Sequence, residues 1–468
     1  MRYEDMEVEA ADAKIERTPD KRRVGSFTLR VLRSPVGEMR PEEAVTVSYD
    51  HKALQASVQQ LDSRALDAAG MRAFGRSLAQ LLLPPTLAGT RTGVRDMFAN
   101  SLLQVGADAG VRLRLRLPAQ LAALPWEYCY IERAGGGDGI DGFIALDPRI
   151  AIVRHEALAV ATAAPLKTET IKVVAALASA AGFAPLDLAK EQADLEAAFA
   201  GQTGITPLII ADATLDEVQA AVVGAAVFHF AGHGRFEQQM GATPGTFVGN
   251  GALALDDQLI GAEQLGVNLR GAGIRLAVLG GCETGRRDGV NIWSGVAPDL
   301  VKAEIPAVVA NQFSVRDDCA IAFAKHFYGA LVAGLSIEQA VSAGRIAAYN
   351  ADTGGRDWGV PVLYLRAADG QLFAGAADAD VRAAAAQQAR AVFDVRTGDV
   401  AKGGQVLGAK AGQIKQGALL VSVSTGSVAG SVSGGEIGAI TGGSAETHVQ
   451  TGEVQEGGSV SGGLITVL

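Results

Sequence analysis

Short apolar runs alternate with helical segments through the middle of the chain. Runs rich in Val, Ile, Ala and Phe occur at 171–177, 207–211, 225–232, 274–281, 307–312 and 361–366. Their length and composition are typical of buried parallel strands. The segments between them predict helices at 187–199, 215–223, 293–303, 318–332 and 336–349. Strands that alternate with helices of this size indicate βαβ units, and hence an α/β fold whose mainly parallel sheet is covered by helices on both faces.

The N-terminal part of the chain, up to Pro165, contains similar elements in a different arrangement. Strand-like runs at 27–32, 45–49, 111–117 and 150–153 surround helical stretches at 53–83 and 93–105. In 111–117, arginine alternates strictly with apolar residues. This alternation predicts a strand with one buried face and one face in solvent. The first residues are dense in Glu, Asp, Lys and Arg, so residues 1–25 are predicted to be a flexible charged leader.

The composition changes after Gln371. Residues 374–393 are rich in alanine, which favours a helix or helical linker. From Thr397 to Leu468 the sequence has no aromatic residue, and roughly a quarter of its positions are glycine, against about 7% in average proteins. Val and Ile recur there among Gly, Ser and Thr without a fixed period. Residues 394–468 therefore predict a tail that is either β-type and solenoid-like or disordered.

Composition and charge exclude several classes of protein. The 468-residue chain has a formal net charge of −10, which argues against nucleic acid and anionic membrane surfaces as partners. No apolar stretch approaches the roughly 20 residues that span a bilayer, and the first residues lack the apolar core of a secretory signal. Cys129, Cys282 and Cys319 have no CxxC spacing, which argues against disulfides and structural zinc. We therefore expect a cytoplasmic protein without metal or cofactor, and its oligomeric state stays open.

A histidine and a cysteine each follow one of the apolar runs. His233 and Gly234 come directly after 225–232, and Cys282 comes directly after 274–281. Catalytic groups in open α/β sheets gather beyond the carboxyl ends of strands, so the imidazole and the thiol are predicted to meet at one sheet edge. A thiol needs a base to become a nucleophile near neutral pH. His233 is thus the predicted general base and Cys282 the predicted nucleophile, with the backbone N–H groups of Gly234 and Cys282 binding the oxyanion.

The separation of the two residues is 49 positions (282 − 233), close to the about 50 that separate the histidine and cysteine of caspases. The surrounding motifs resemble the CHAT domain, a caspase-like cysteine peptidase family related in fold to separase and the gingipains. The similar stretches are His229–Gly234, Cys282–Gly285, Pro306–Phe313 with Asp317, Trp358–Leu365, Leu124–Glu127 and Phe143–Ile150. The resemblance implies two caspase-like halves, a non-catalytic one at 26–165 and a catalytic one at 166–373, and a dyad that needs no third residue.

The sequence departs from the family pattern in three respects. Gly280 and Gly281 precede the cysteine where a serine and an alanine are common in the family. Glu304 stands where a glycine is common, with little expected effect on catalysis. The 34-residue repeats often attached to this domain are absent from the sequence, so partner recognition through them is not expected.

Other residues are candidates for a substrate pocket. Asn311 and Gln312 end the run after that of Cys282, where caspase-like enzymes align the substrate backbone. Asp317 stands where a helix N-cap is predicted, but a carboxylate there would also favour a basic side chain at P1, the substrate residue before the cleaved bond. Arg286, in the loop after Cys282, is either solvated, a pocket residue or part of a processing site. His229 lies inside an apolar run and is interpreted as a core histidine, and Cys129 and Cys319 are interpreted as packing residues.

The sequence thus predicts a CHAT-type cysteine endopeptidase that cleaves a specific protein partner. By resemblance, such an enzyme acts in bacterial defence or cell death and responds to an activating partner or ligand. The alternative is a non-catalytic caspase-like scaffold whose tail mediates assembly or partner binding. A third hypothesis is self-cleavage of the tail near Lys402, Lys410 or Lys415.

Overall fold

Two compact units make up the chain in the computed structural model. One consists of Met1–Ile131 with Ile140–Ala376, and the other of Glu132–Gly139 with Ala377–Leu468. The structure describes residues 1–86, 93–132, 139–156, 158, 164–183, 185–240, 247–280, 293–367 and 369–374, together with nine strands between 390 and 465. Each unit is described by itself below.

Sixteen strands and ten α-helices are found in the described part of the first unit. The strands are β1 (Arg2–Arg17), β2 (Arg23–Arg33), β3 (Val45–Asp50), β4 (Ala109–Arg116), β5 (Ile150–Arg154), β6 (Leu166–Lys167), β7 (Ile171–Leu177), β8 (Ile205–Ile210), β9 (Val227–Ala231), β10 (Gly234–Met240), β11 (Phe247–Ala254), β12 (Leu259–Gly261), β13 (Leu276–Gly280), β14 (Ala307–Asn311), β15 (Pro361–Leu365) and β16 (Phe373–Ala374). The helices are α1 (His51–Asp62), α2 (Ala68–Leu82), α3 (Val94–Gln104), α4 (Ala119–Ala122), α5 (Leu188–Phe199), α6 (Leu215–Ala221), α7 (Ala262–Ala272), α8 (Trp293–Lys302), α9 (Asp317–Val332) and α10 (Ile337–Ala351).

Eleven of the described strands form one continuous sheet. Their order is β3-β2-β1-β4-β5-β15-β14-β13-β9-β7-β8. Neighbours are antiparallel at β2/β3, β1/β2 and β14/β15 and parallel elsewhere, so the predicted mainly parallel sheet is confirmed. Because β15 is antiparallel to β14 and parallel to β5, strands β4 and β5 run in the opposite direction to β9, β13 and β14. The carboxyl ends of β9, β13 and β14 therefore share an edge with the amino ends of β4 and β5.

Helices cover both faces of the second half of the sheet. On one face, Leu195 of α5, Phe327 of α9 and Val341 of α10 belong to a core with alternate residues of the strands. On the other face, residues of α6, α7 and α8 form a second core. Helix α7 was not predicted from the sequence, because two glycines interrupt its amphipathic pattern. It ends at Gly273, whose φ of 83° is in the left-handed region that favours glycine.

Residues 1–25 do not form a flexible leader, so this prediction is wrong. Strand β1 pairs with β2 in antiparallel and with β4 in parallel orientation. Met6 and Val8 are fully buried in the core of the N-terminal half. Two of the charged residues that suggested a solvated segment, Asp5 and Glu7, instead pair with the arginines of β4.

Two of the three alternating arginines of β4 are buried, which corrects the prediction of a solvated face. Arg112 and Arg114 are 3% and 2% exposed. Nε of Arg112 lies 2.7 Å from the carboxylate of Asp5, and its Nη1 lies 2.7 Å from that of Glu338 on α10. Nε of Arg114 lies 3.0 Å from the same Asp5 carboxylate. Buried charges require such partners, and β1 and α10 supply them.

The second unit contains a set of parallel strands that run in coils. Its described strands are β17 (Arg390–Arg396), β18 (Gln405–Leu407), β19 (Lys410–Ala411), β20 (Gly417–Ser424), β21 (Ser431–Ser433), β22 (Glu436–Ile437), β23 (Gly443–Gln450), β24 (Ser459–Ser461) and β25 (Leu464–Ile465). They form three parallel sheets in the orders β17-β20-β23, β18-β21-β24 and β19-β22-β25. Each coil therefore contributes one strand to each of three sheets. Of the two structures predicted for the tail, the described strands have the β-type, solenoid-like one.

The coil length explains why the sequence shows no fixed period. Arg390 pairs with Ala418, an offset of 28 (418 − 390), whereas Gly417 pairs with Gly443, an offset of 26 (443 − 417). In the second sheet the order is reversed, with offsets of 26 (405 to 431) and then 28 (431 to 459). The alanine-rich segment lies mostly outside the described residues. Its last residues, from Arg390, belong to β17, so the predicted helix does not extend through Val392.

Candidate active site

Strands β9 and β13 are neighbours in the sheet and run parallel, as their apolar pattern predicts. In their register Ala231 of β9 pairs with Gly280 of β13. His233 lies two residues beyond the first of these positions, at the carboxyl edge of the sheet. Strand β14 follows on the other side of β13 and ends at Asn311. Strands β9, β13 and β14 thus end at the same edge of the sheet, where the candidate residues were predicted.

The imidazole of His233 is 9% exposed and stacks on the ring of Phe183. The ring centroids are 5.1 Å apart, with an angle of 15° between the planes. Phe183 follows β7, the other neighbour of β9. The carbonyl of His233 accepts a hydrogen bond from the backbone N–H of Ala254 at 2.9 Å. Gly234 begins β10 and pairs with Leu253 in the hairpin of β10 and β11, so the backbone on both sides of the imidazole is anchored.

Two of the predicted site residues lie outside the described part of the chain. Cys282 and Arg286 fall within 281–292, between the end of β13 and the start of α8. The described residues on either side fix where this segment leaves and rejoins the fold. It leaves from Gly280, the partner of Ala231 in β9.

A cavity of about 100 Å³ lies at the carboxyl ends of β9, β13 and β14. Asn311 and Asp317 line it, together with Gly280, His229 and side chains of α5 and α9. The structure thus brings two predicted pocket residues, Asn311 and Asp317, to one cavity beside the strand that leads to Cys282. Another cavity of about 560 Å³ adjoins Phe183 and Arg235, on the His233 side.

His229 forms part of the floor of the smaller cavity. It is 8% exposed, and its Nδ1 lies 2.8 Å from Oη of Tyr328 on α9. Burial lowers the pKa of His229 to about 4, so the ring is neutral at physiological pH. Burial also raises the pKa of Tyr328, which keeps its hydroxyl protonated. His229 is therefore a buried and hydrogen-bonded histidine, as the sequence suggests, but it also contacts the cavity.

Gln312 is not a pocket residue, so this prediction is wrong. It is 3% exposed, and its Nε2 donates to the carboxylate of Glu127 at 3.1 Å and to the carbonyl of Gly359 at 2.9 Å. Glu127 in turn accepts a hydrogen bond from Arg154 at 2.8 Å. Because side chains alternate along a strand, Asn311 and Gln312 cannot both line one cavity. The amide of Gln312 instead connects the two halves of the sheet.

The family model of the CHAT domain matches residues 72–367, which include strands β4 to β15 and all the candidate residues named above. The chain belongs to the CHAT domain family. This is a family of caspase-like peptidases, and the mainly parallel, helix-covered sheet agrees with that fold class.

Two solved structures of the separase–securin complex of Saccharomyces cerevisiae are similar to this CHAT protein. One is 13% identical with a TM-score of 0.32 and covers 70% of this chain and 21% of the other. The second is 10% identical with a TM-score of 0.40 and covers 77% and 30%, respectively. The chain thus spans less than a third of the separase chains that it matches. No protein with a curated description matches the sequence.

Asp317 of this CHAT protein is the first residue of α9, and not its N-cap as predicted. The N-cap is Arg316, which has no side-chain capping bond. The carboxylate of Asp317 is consequently available for other contacts, and it lies 2.8 Å from Nζ of Lys190 on α5. Nζ of Lys190 also lies 2.7 Å from the carboxylate of Asp194.

The other two cysteines are packing residues, as predicted. Cys129 and Cys319 are fully buried. Burial raises the pKa of the Cys129 thiol well above its usual range and that of Cys319 to about 12, so both stay protonated and unreactive. In the part of the chain that the structure describes, no cluster of His, Cys, Asp and Glu is arranged to hold a metal ion. Within the same residues, no helix has the length and apolar composition of a membrane span.

Phe183 and Lys190 were missed by the sequence analysis. Phe183 lies in a loop of small residues, where an aromatic side chain is a weak signal for a packed surface. Lys190 is one of several charged residues on an amphipathic helix, and its contact with Asp317 spans 127 positions (317 − 190). No local pattern reveals a contact over such a distance.

Proposed function

We propose that this CHAT protein is a cysteine endopeptidase in which Cys282 is the nucleophile and His233 the general base. The observation that carries the proposal is the register of β9 against β13. Each residue follows a paired strand position by two residues, 233 − 231 and 282 − 280. Neighbouring strands are about 4.8 Å apart, so two chains that leave them at paired positions start within reach of a histidine–cysteine hydrogen bond.

The proposed reaction has two stages. His233 takes the thiol proton, the Cys282 sulfur attacks the peptide carbonyl, and the imidazolium then protonates the leaving amine. Water next attacks the acyl-enzyme with His233 as base and releases the new carboxylate. The N–H groups of Gly234 and Cys282 stabilise the oxyanion in both stages. Phe183 stacks on the face of the imidazole and so restricts the orientation of the ring.

The proposed substrate is an extended segment of a protein partner, and Asn311, Asp317 and Arg286 are the proposed pocket residues. By family resemblance we assign the enzyme to a bacterial defence or cell-death system in the cytoplasm. Its activity is proposed to depend on an activating partner or ligand.

Digestion of a diverse peptide pool, with new termini identified by mass spectrometry, tests the peptidase proposal. We expect wild-type protein to produce new termini, and Cys282→Ala and His233→Ala to reduce cleavage by about 10³-fold or more. Cys129→Ala is the matched control, because its thiol is buried in the N-terminal half. It is expected to cleave like the wild type. Equal cleavage by wild type and Cys282→Ala would contradict the proposal.

A non-catalytic scaffold is the second candidate, and the tail favours it. Each of its three sheets ends in strands that pair on one side only among the described residues, and such edges can pair with other chains. The same Cys282→Ala variant separates the candidates. Retained biological function with unchanged folding would favour the scaffold, whereas loss of function with unchanged folding would favour the peptidase.

A further inference from the structure

The cavity at the ends of β9, β13 and β14 combines apolar walls with a group of carboxylates. Val278, Val309 and Phe327 line its apolar part. Four acidic side chains line the same cavity, namely Glu191, Asp194, Asp317 and Asp357. Asp357 is fully buried and already paired with Arg64 at 2.8 Å, so the first three are the carboxylates considered for a ligand. Apolar walls with a few convergent polar groups are typical of ligand pockets. An aliphatic chain with a charged end fits this distribution.

An ammonium group already binds two of these carboxylates. Nζ of Lys190 lies 2.7 Å from Asp194 and 2.8 Å from Asp317. The lysine side chain is 46% exposed, and exposed ion pairs contribute only about 0–1 kcal/mol. Another cation can therefore take the place of Lys190 at Asp317 at little cost.

The charge around the cavity is unbalanced. Among the described residues, one ammonium faces the carboxylates of Glu191, Asp194 and Asp317. Burial raises the pKa of Glu191, and the negative charges of Asp194 and Asp317 raise it further. Crowded carboxylates favour the entry of a second cation. An anionic ligand would add to the repulsion.

His229 provides an independent observation. Its side chain is more than nine-tenths buried, and its Nδ1 is engaged by Tyr328. Nε2 has no hydrogen-bond partner in the part of the chain that the structure describes. This atom lies 3.7 Å from where a Cβ on Gly280 would be, and both residues line the cavity. Nε2 of the neutral His229 ring can therefore form a hydrogen bond with a ligand in the cavity, and it does not repel a cation.

We propose that this cavity is the P1 pocket and that it binds a lysine or arginine side chain, whose cationic group displaces Lys190 from Asp317. The inference rests on the proposed peptidase function, because P1 is defined by the cleaved bond. It narrows the substrate class to protein segments cleaved after a basic residue. It also makes Lys190 an internal competitor for the pocket.

Peptides that differ only at P1 test the proposal. We expect wild-type kcat/KM to be at least 100-fold higher after lysine or arginine than after norleucine, the uncharged counterpart of lysine. Asp317→Asn is expected to lower kcat/KM for the basic peptides at least tenfold and to reduce their advantage over norleucine peptides by a similar factor. Lys190→Met is expected to lower KM for the basic peptides alone.

Asp318→Asn is the matched control, because Asp318 is the next residue of α9 and pairs with Arg316 at 2.7 Å, outside the cavity. It is expected to leave the P1 preference unchanged. Cleavage that prefers norleucine or an acidic residue at P1 would overturn the pocket proposal while supporting the peptidase.

Binding of n-butylamine, which mimics the lysine side chain, provides a test that does not require turnover. Saturation-transfer NMR should show that n-butylamine binds the wild-type protein, that n-butanol does not, and that Asp317→Asn weakens amine binding at least tenfold. Equal binding of the amine and the alcohol would overturn the proposal. Selective amine binding without cleavage of any peptide would contradict the peptidase function alone and support the cation pocket.

Discussion

The two halves of the eleven-stranded sheet bury their strands in different ways. In the N-terminal half, β4 places Arg112 and Arg114 in the interior, where carboxylates of β1 and α10 bind them. In the second half, β7 and β13 present apolar side chains to both faces. The candidate chemistry of the second half accordingly lies beyond the strands, at residues such as His233. The N-terminal half therefore includes paired charges among its buried strand positions, whereas most buried strand positions of the second half are apolar.

The difference shows what each kind of strand specifies. A buried ion pair adds little net stability compared with apolar packing, but removing one partner is strongly destabilising. Asp5 therefore selects which strand lies next to β4. Apolar strands have no charged residues that select a neighbouring strand, so their order in the sheet depends on the connecting helices.

Asp5→Ala tests the charged half, and we expect the largest effect on stability. Two buried guanidinium groups, those of Arg112 and Arg114, would lose a shared carboxylate. Loss of a partner from a buried pair costs about 3–5 kcal/mol, to be measured by urea unfolding. Asp20→Ala, which removes an exposed partner of Arg22, should have no measurable effect. Equal stability of the two variants would show that the arginines of β4 do not depend on Asp5.

In the apolar half, His229 is expected to make the free energy of unfolding depend on pH. Burial lowers its pKa from 6.5 to about 4, so the folded state binds fewer protons than the unfolded state between these values. The contribution to stability is complete above pH 6.5 and is lost as the pH falls towards 4. From pH 7 to pH 5 this amounts to about 2 kcal/mol.

Urea unfolding of wild type and His229→Asn at both pH values isolates this contribution. The variant should lose about 2 kcal/mol less than wild type between pH 7 and pH 5. His326→Asn, at an exposed position of α9, should follow the wild type. Parallel pH profiles for wild type and His229→Asn would mean that His229 is not buried in its neutral form.

Phe183→Ala is expected to lower kcat about tenfold, because the imidazole of His233 would lose the ring that stacks on it. KM should change little, and Phe183→Tyr should restore activity. A pH profile of kcat/KM distinguishes positioning from general destabilisation, since only the former alters the histidine limb. Unchanged kcat in Phe183→Ala would remove Phe183 from the proposed machinery.

Glu304→Gly is expected to have the smallest effect. Glu304 has a φ of 74°, and the left-handed region costs an L-residue roughly 1–2 kcal/mol. Its exposed ion pair with Arg270 offsets little of this. Glycine also increases the conformational entropy of the unfolded chain, which reduces the gain. We therefore expect the free energy of unfolding to rise by up to about 1 kcal/mol. Glu304→Ala retains the strained backbone and should not show this gain, which thermal unfolding can measure.

Elements in which one periodicity dominates were predictable from the sequence. The apolar runs predicted β7, β9, β13 and β14, and the chain order of βαβ units made a parallel sheet the natural result. Strand β1 was not predictable in this way, because dense charge is typical of solvated segments and the buried partners of its acidic residues on β4 are far away in the sequence. A charge pattern alone does not reveal whether complementary charges meet in the interior.

The candidate site was predictable only in part for similar reasons. The position of His233 follows from a local pattern, a strand that ends in glycine and histidine. Gln312 and Asn311 have similar local surroundings, but strand alternation directs them to opposite sides, and the sequence alone did not indicate which side holds the cavity. The contact between Lys190 and Asp317 depends on how α5 and α9 pack on the sheet.

Because the second unit is built from repeated coils, the tail can become longer or shorter by whole coils. A strand in any coil pairs with its counterpart in the next coil, and the small difference in coil length falls between the strands. Duplication or loss of a complete coil in evolution would preserve every strand pairing that remains. A single inserted residue within a strand would instead reverse the facing of the side chains that follow it. Selection should therefore tolerate tails of different coil number more readily than small insertions in their strands.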